Sequence, residues 1–170
     1  MTDLPAPPEP STRPPIPDIR NQLAVWGKWG INHHARFIYT EGVLRMSHVG
    51  KAPLKHWTTK IYCDCSAWVT YCYAWAGGED PNGLKFNGEG YTGTLMKHGS
   101  RINVGQCLPG DVVIFGSAPG VHTALIIEAG NDPLTSSMGE QGQPAAVRVS
   151  SMAFLGVPTF WRFSTKNRHL

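Results

Sequence analysis

Asp64-Cys-Ser-Ala-Trp-Val-Thr-Tyr-Cys-Tyr-Ala-Trp-Ala-Gly-Gly78 is the stretch from which the rest of the sequence can be organised. Trp68, Val69, Cys72, Trp75 and Ala76 recur at helical spacing, Asp64 is a favourable N-cap residue, and Gly77-Gly78 ends the run as glycine ends helices. The spacing predicts a helix that opens at or near Cys65 and is buried on one side.

Beyond this helix, residues 79–110 are rich in Gly, Asn and Asp and read as loops around a short helix at Thr94 to Gly99. After Pro109-Gly110 the pattern becomes β-like. Asp111-Val-Val-Ile-Phe115 and Val121-His-Thr-Ala-Leu-Ile-Ile127 flank Gly116-Ser-Ala-Pro-Gly120, a hairpin signal, and further strands are expected at Leu134 to Ser137, Ala145 to Val149 and Thr159 to Phe163. Helices first and then an antiparallel meander of about five strands imply an α+β domain.

Upstream, Leu23, Trp26, Trp29 and Ile31 suggest a helix between Asp18 and about Tyr39, with Gly27 and Gly30 weakening the pattern. Thr40 to Thr59 reads as loop. Residues 1–17 hold seven of the fourteen prolines, a composition that favours an extended arm. The expected organisation is therefore an arm at 1–17, one domain at 18–163 and a short tail at 164–170. A chain of 170 residues with 41% hydrophobic residues suffices for one core.

Charge narrows the function classes. The net charge is +3, and no two Lys or Arg residues are adjacent, so no nucleic-acid footprint is expected. No run approaches the roughly eighteen apolar residues of a membrane span, and the N-terminus shows no signal-peptide pattern. The four cysteines at 63, 65, 72 and 107 lack the paired spacing of zinc sites, and no cofactor is expected.

A catalytic thiol is the remaining reading. A helix start aims unpaired N–H groups and the positive end of the helix dipole at Cys65, which lowers a thiol pKa and offers donors to an oxyanion. The base must come from elsewhere. Among seven histidines His122 is the best placed, because it begins an apolar strand on whose one face small Ala124 leaves room for a helix. His33-His34 lie in a helix, where neighbours face different ways, and His48, His56, His98 and His169 fall in loops or the tail. Asp64 is expected to cap the helix rather than perform acid chemistry.

Three blocks then carry a family resemblance: Asp64-Cys-Ser-Ala-Trp-Val69, Pro109-Gly-Asp-Val-Val-Ile-Phe115 and Val121-His-Thr-Ala-Leu-Ile-Ile127. In that order and spacing they resemble the NlpC-type cell-wall peptidases, papain-like enzymes with the patterns Asp-Cys-Ser-Gly-Phe-Val, Pro-Gly-Asp-Leu-Val-Phe-Phe and His-Val-Gly-Ile-Tyr. Trp75-Ala-Gly-Gly-Glu-Asp-Pro-Asn-Gly83, Gly90-Tyr-Thr-Gly-Thr-Leu95 and Asp132-Pro-Leu-Thr-Ser-Ser-Met-Gly139 look like a branch found in phages of actinobacteria.

The resemblance implies a papain-like α+β fold and cleavage of stem-peptide amide bonds in peptidoglycan, with Cys65 as nucleophile and His122 as base. It places Tyr39 as the upstream tyrosine of the substrate side, with Tyr62 as the alternative, and sets Asp64 and Ser66 beside them. A third polar residue should orient the imidazole, but the expected histidine falls on Met138, which cannot do so; Ser137 and Glu140 are the candidate substitutes. It further implies a virion-borne or lytic phage protein, and the proline-rich composition of residues 1–17 suggests an arm that docks on other virion or tail proteins. The competing expectation is a non-catalytic tail or assembly protein that keeps the fold.

Overall fold

The computed structural model describes residues 18–50, 60–139 and 142–168. The expected arm at 1–17, together with Glu140, His56 and His169, lies outside the described residues.

The first helix, α1 (Ile19–Asn32), is capped by Asp18, whose carboxylate accepts from the Arg20 N–H. It ends well before Tyr39. Residues 37–39 instead form β1 (Phe37–Tyr39), which pairs in parallel with β2 (Ile61–Cys63), a short two-stranded element absent from the sequence reading. A three-residue strand carries too little pattern to be seen in sequence. The helix signal extended past Asn32 because the aromatic run continues there.

The next helix, α2 (Cys65–Ala76), starts and stops where the sequence places it. Asp64 accepts the Ala67 N–H at 2.7 Å, and Gly77 closes the helix at φ 79°, a left-handed conformation that favours glycine. One expectation is corrected: all twelve residues of α2 are buried, not one side. The sequence pattern underestimates this because Ser66, Thr70, Tyr71 and Tyr73 look polar. Thr70 spends its hydroxyl on the Ser66 carbonyl, and Tyr73 on the Gly110 carbonyl, so burial leaves neither unpaired.

After α3 (Thr92–His98) comes an antiparallel sheet of β3 (Ser100–Ile102), β4 (Val112–Phe115), β5 (His122–Glu128), β6 (Leu134–Met138), β7 (Pro144–Arg148) and β8 (Pro158–Arg162). Its spatial order is β3-β8-β4-β5-β6-β7. The sixth strand beyond the expected five is β3, three residues on the open edge of β8. Helices and sheet together make the α+β architecture that the sequence implies.

The two faces of the sheet hold different cores. On one, Val112, Ile114, Leu125, Ile127 and Met138 pack against α1 and α2. On the other, Val113, Phe115, Ala124 and Ile126 pack against Val149 and Met152 of a 3-10 segment at Val149–Leu155. Gly27 and Gly30 turn out to be contact points: a Cβ on Gly27 would stand 2.6 Å from Ile127, and one on Gly30 2.3 Å from the Trp68 ring. At one end of the sheet Asp111, almost fully buried, accepts from both Arg20 and Arg162, tying α1 to the sheet. The expected tail also has a place, since the Arg168 N–H bonds the Gly77 carbonyl at 2.8 Å.

Candidate active site

The start of α2 is held by charge. Arg45, from the loop after β1, donates through Nε to Asp64 Oδ2 at 2.5 Å and through Nη2 to Ser66 Oγ and the Gly90 carbonyl. Ser66 in turn donates to Asp64 Oδ1 at 3.0 Å. Asp64 and Ser66 are thus engaged with each other and with Arg45, and Asp64 caps the helix as expected. Arg45 itself was invisible in the sequence, because a lone loop arginine has no pattern and is solvated by default.

Cys65 is only 8% exposed. The backbone N–H groups of Thr123 and Ser66 face its sulfur, so the thiol sits against the first residues of β5. Its acidity runs against the sequence expectation: burial and then the Asp64 charge push the thiol up to about 11, outweighing those N–H groups and Arg45. The helix start offers donors, but the loss of water is the larger effect.

His122 meets the same loss of water with the opposite sign for a base. Burial pushes its imidazole down to about 4, with Asp64 opposing, so the ring is neutral at neutral pH. The expectation that α2 lies across the face of His122, Ala124 and Ile126 is corrected. His122 pairs with Phe115 across the hairpin, and its ring lies 6.1 Å from that of Phe115, on the face away from α2. Cys65 therefore approaches the N-terminal end of β5 rather than its surface, and no hydrogen bond joins sulfur and ring among the described residues.

Alternation along β6 sends its two neighbouring candidates to opposite faces. Met138 lies in the α2 core, while Ser137 points to the His122 face and its Oγ stands 2.8 Å from His122 Nε2. Ser136, between threonine and serine, takes the Trp68 indole N–H and donates to the Gly27 carbonyl.

The two tyrosines separate clearly. Tyr39 donates to Glu41 at 3.0 Å, and its hydroxyl is held above the ordinary tyrosine range, first by burial and then by the Glu41 bond, with the charges of Cys65 and Asp64 adding to it. It lies within the field of the thiol. Tyr62, half-buried at the centre of β2, makes no side-chain hydrogen bond among the described residues. Beside Arg45 opens a groove of about 410 Å³ lined by Met46, Phe86, Asn87 and Glu89. Among the described residues no three His, Cys, Asp or Glu side chains gather as metal ligands would, and no helix is long and apolar enough to cross a membrane.

No protein-family model and no curated protein matches the sequence, whereas solved structures do match the fold. The NlpC/p60 domain of the peptidoglycan hydrolase SagA superposes with a TM-score of 0.53 at 18% identity, over 85% of this chain and 98% of that one. The fold is that of NlpC/p60 domains. RipD from Mycobacterium tuberculosis, described as a non-catalytic NlpC/p60 protein adapted to peptidoglycan binding, gives 0.54 at 20% identity over 86% and 98%. The peptidoglycan hydrolase RipB of the same organism gives 0.51 at 20% over 99% and 75%. The NlpC/p60 fold thus houses both hydrolases and a binding protein, and the choice for this chain rests on its own side chains.

Proposed function

We propose that the chain is a peptidoglycan-directed cysteine hydrolase with Cys65 as nucleophile, His122 as base and Ser137 as the residue that orients the base. The observation that carries this reading is the 2.8 Å contact between Ser137 and His122 Nε2, beside a sulfur seated against the next residue's N–H. Nδ1 of the ring makes no bond among the described residues and is the atom left to take the thiol proton. As the sulfur bonds the amide carbonyl carbon, that proton passes to Nδ1 and then to the leaving amine as the C–N bond breaks. The Cys65 N–H, which has no partner inside the helix, is the donor for the oxyanion, and the Tyr39 hydroxyl lies close enough to the thiol to feel its charge. Water then releases the acyl group.

Stem-peptide amides are the substrate class, supported by the three sequence blocks and by the fold shared with SagA and RipB. The phage-like segments and the proline-rich 1–17 support a virion-borne or lytic setting, with that arm binding tail proteins. Digestion of purified actinobacterial wall followed by mass spectrometry of the soluble fragments is the test. New amino termini within the stem peptide are expected from the native chain and none from Cys65→Ala; wall left intact by the native chain overturns the reading.

One observation favours a second reading, a wall-binding protein without turnover. The thiol is held up to about 11 and is not bonded to His122, which is the resting state of an unactivated cysteine. On this reading the chain co-sediments with insoluble wall equally well with and without Cys65→Ala and releases no fragment.

A further inference from the structure

Ser137 has one hydroxyl hydrogen and two neighbours. Its Oγ lies 2.8 Å from His122 Nε2 and 3.6 Å from Met152 Sδ. A thioether has no hydrogen to give and can only accept. Both contacts are hydrogen bonds only when the hydroxyl hydrogen goes to the sulfur and Nε2 carries the ring hydrogen; a hydroxyl turned to Nε2 leaves the sulfur, and a hydrogen on Nδ1, without a partner among the described residues. A neutral imidazole carries one hydrogen on its two nitrogens, so Nδ1 is then bare.

We infer that Met152 is a positioning residue: through Ser137 it holds His122 in the Nε2–H tautomer and leaves Nδ1 as the only basic nitrogen. The three groups are 5%, 4% and 9% exposed for Met152, Ser137 and His122, so bulk water cannot readily turn the hydroxyl round. Met152 sits on the 3-10 segment against Val149 and Phe160, on the opposite side of the sheet from the nucleophile's helix. Its relevance to turnover rests on the hydrolase reading above; the tautomer itself is a property of the resting fold.

Without the sulfur, Nε2 is the one acceptor left to the Ser137 hydrogen among its described side-chain partners, and the ring hydrogen moves to Nδ1. A ring in that state cannot take the thiol proton. In a serine triad the wrong tautomer lowers turnover by about four orders of magnitude, so a fall of at least about tenfold in kcat with KM kept is expected here for Met152→Leu.

The test is the ring nitrogen pattern of His122 by ¹H–¹⁵N NMR on the full-length chain at pH 7, where the imidazole is neutral. The native chain is expected to show a protonated Nε2 and a bare Nδ1, and Met152→Leu to shift the population toward Nδ1–H. In a Ser137→Ala background, Met152→Leu is expected to change the ring no further, which a mere packing effect would not obey. A native ring protonated on Nδ1, or a ring indifferent to Met152→Leu, overturns the inference, and the first needs no variant to fold. A chain that leaves wall intact yet shows the Nε2–H ring sinks the hydrolase reading alone; a chain that cleaves wall with an Nδ1–H ring sinks this one alone.

Discussion

Cys65 and His122 are both neutral at rest, and each is so because of burial. With the thiol near 11 and the imidazole near 4, a preformed thiolate–imidazolium pair is not the ground state. On the hydrolase reading the proton moves only as the sulfur attacks. The rate then needs His122 unprotonated and is indifferent to the thiolate fraction, so kcat/KM is expected to be flat from about pH 5 to about pH 10 instead of bell-shaped around neutrality. Alkylation of Cys65 by iodoacetamide, which does follow the thiolate, is expected to rise about tenfold per pH unit across the same range. Alkylation already saturated at pH 6 would mean that an ion pair exists and that desolvation does not dominate. The residue types of this pair were legible in the sequence because a cysteine at a helix start and a histidine at a strand start each leave a local signature. Their acidity was not legible, because it depends on how much water the whole fold removes.

At the scale of elements, α1 is bound to its neighbours through two glycines. Gly30→Ala would drive a methyl group into the Trp68 ring, and Trp68 is itself fixed by its bond to Ser136. A rigid, fully buried indole cannot step aside cheaply, so a loss of about 1–3 kcal/mol in urea unfolding is expected, more than the gain in helix propensity returns. Gly105→Ala, where nothing among the described residues lies within 4 Å, is the control and is expected to change stability little. The same glycines show how sequence patterns mislead. They lowered the helix signal of α1 because glycine is a poor helix former, yet they are what lets α1 approach α2 and β5. Strand alternation was similarly half-read. The period of two correctly grouped His122 with Ala124 and Ile126, but which face receives α2 depends on a register between distant elements, and that placed Ser137 beside His122 and Met138 away from it.

For the molecule as a whole, the two buried groups set a pH window of stability. His122 is held down from 6.5 to about 4, so the unfolded chain binds more protons between those values and stability falls as pH drops through them. The contribution, about 3 kcal/mol, is complete above pH 6.5. Cys65 is held up from 9.0 to about 11, so its contribution is complete below pH 9 and is lost as pH rises toward 11, with buried Cys63 and Cys72 acting in the same direction. Urea midpoints are therefore expected to be highest between about pH 6.5 and pH 9 and to fall on both sides. An unchanged midpoint from pH 7 down to pH 4.5 would show that His122 ionises freely in the folded chain.

The complete burial of α2 bears on more than packing. Because every residue of the helix that presents Cys65 is buried, with its own Trp75 packed against Trp26 and Trp29 of α1, it is expected to open only with the core as a whole. Its amides are expected to fall in the slowest class of hydrogen exchange. The Cys65 sulfur is consequently expected to keep its position through local fluctuations, and on the hydrolase reading adaptation to a new wall chemistry falls to exposed loop positions such as Val43 and Leu44, since Met46 and Val49 are part of the core.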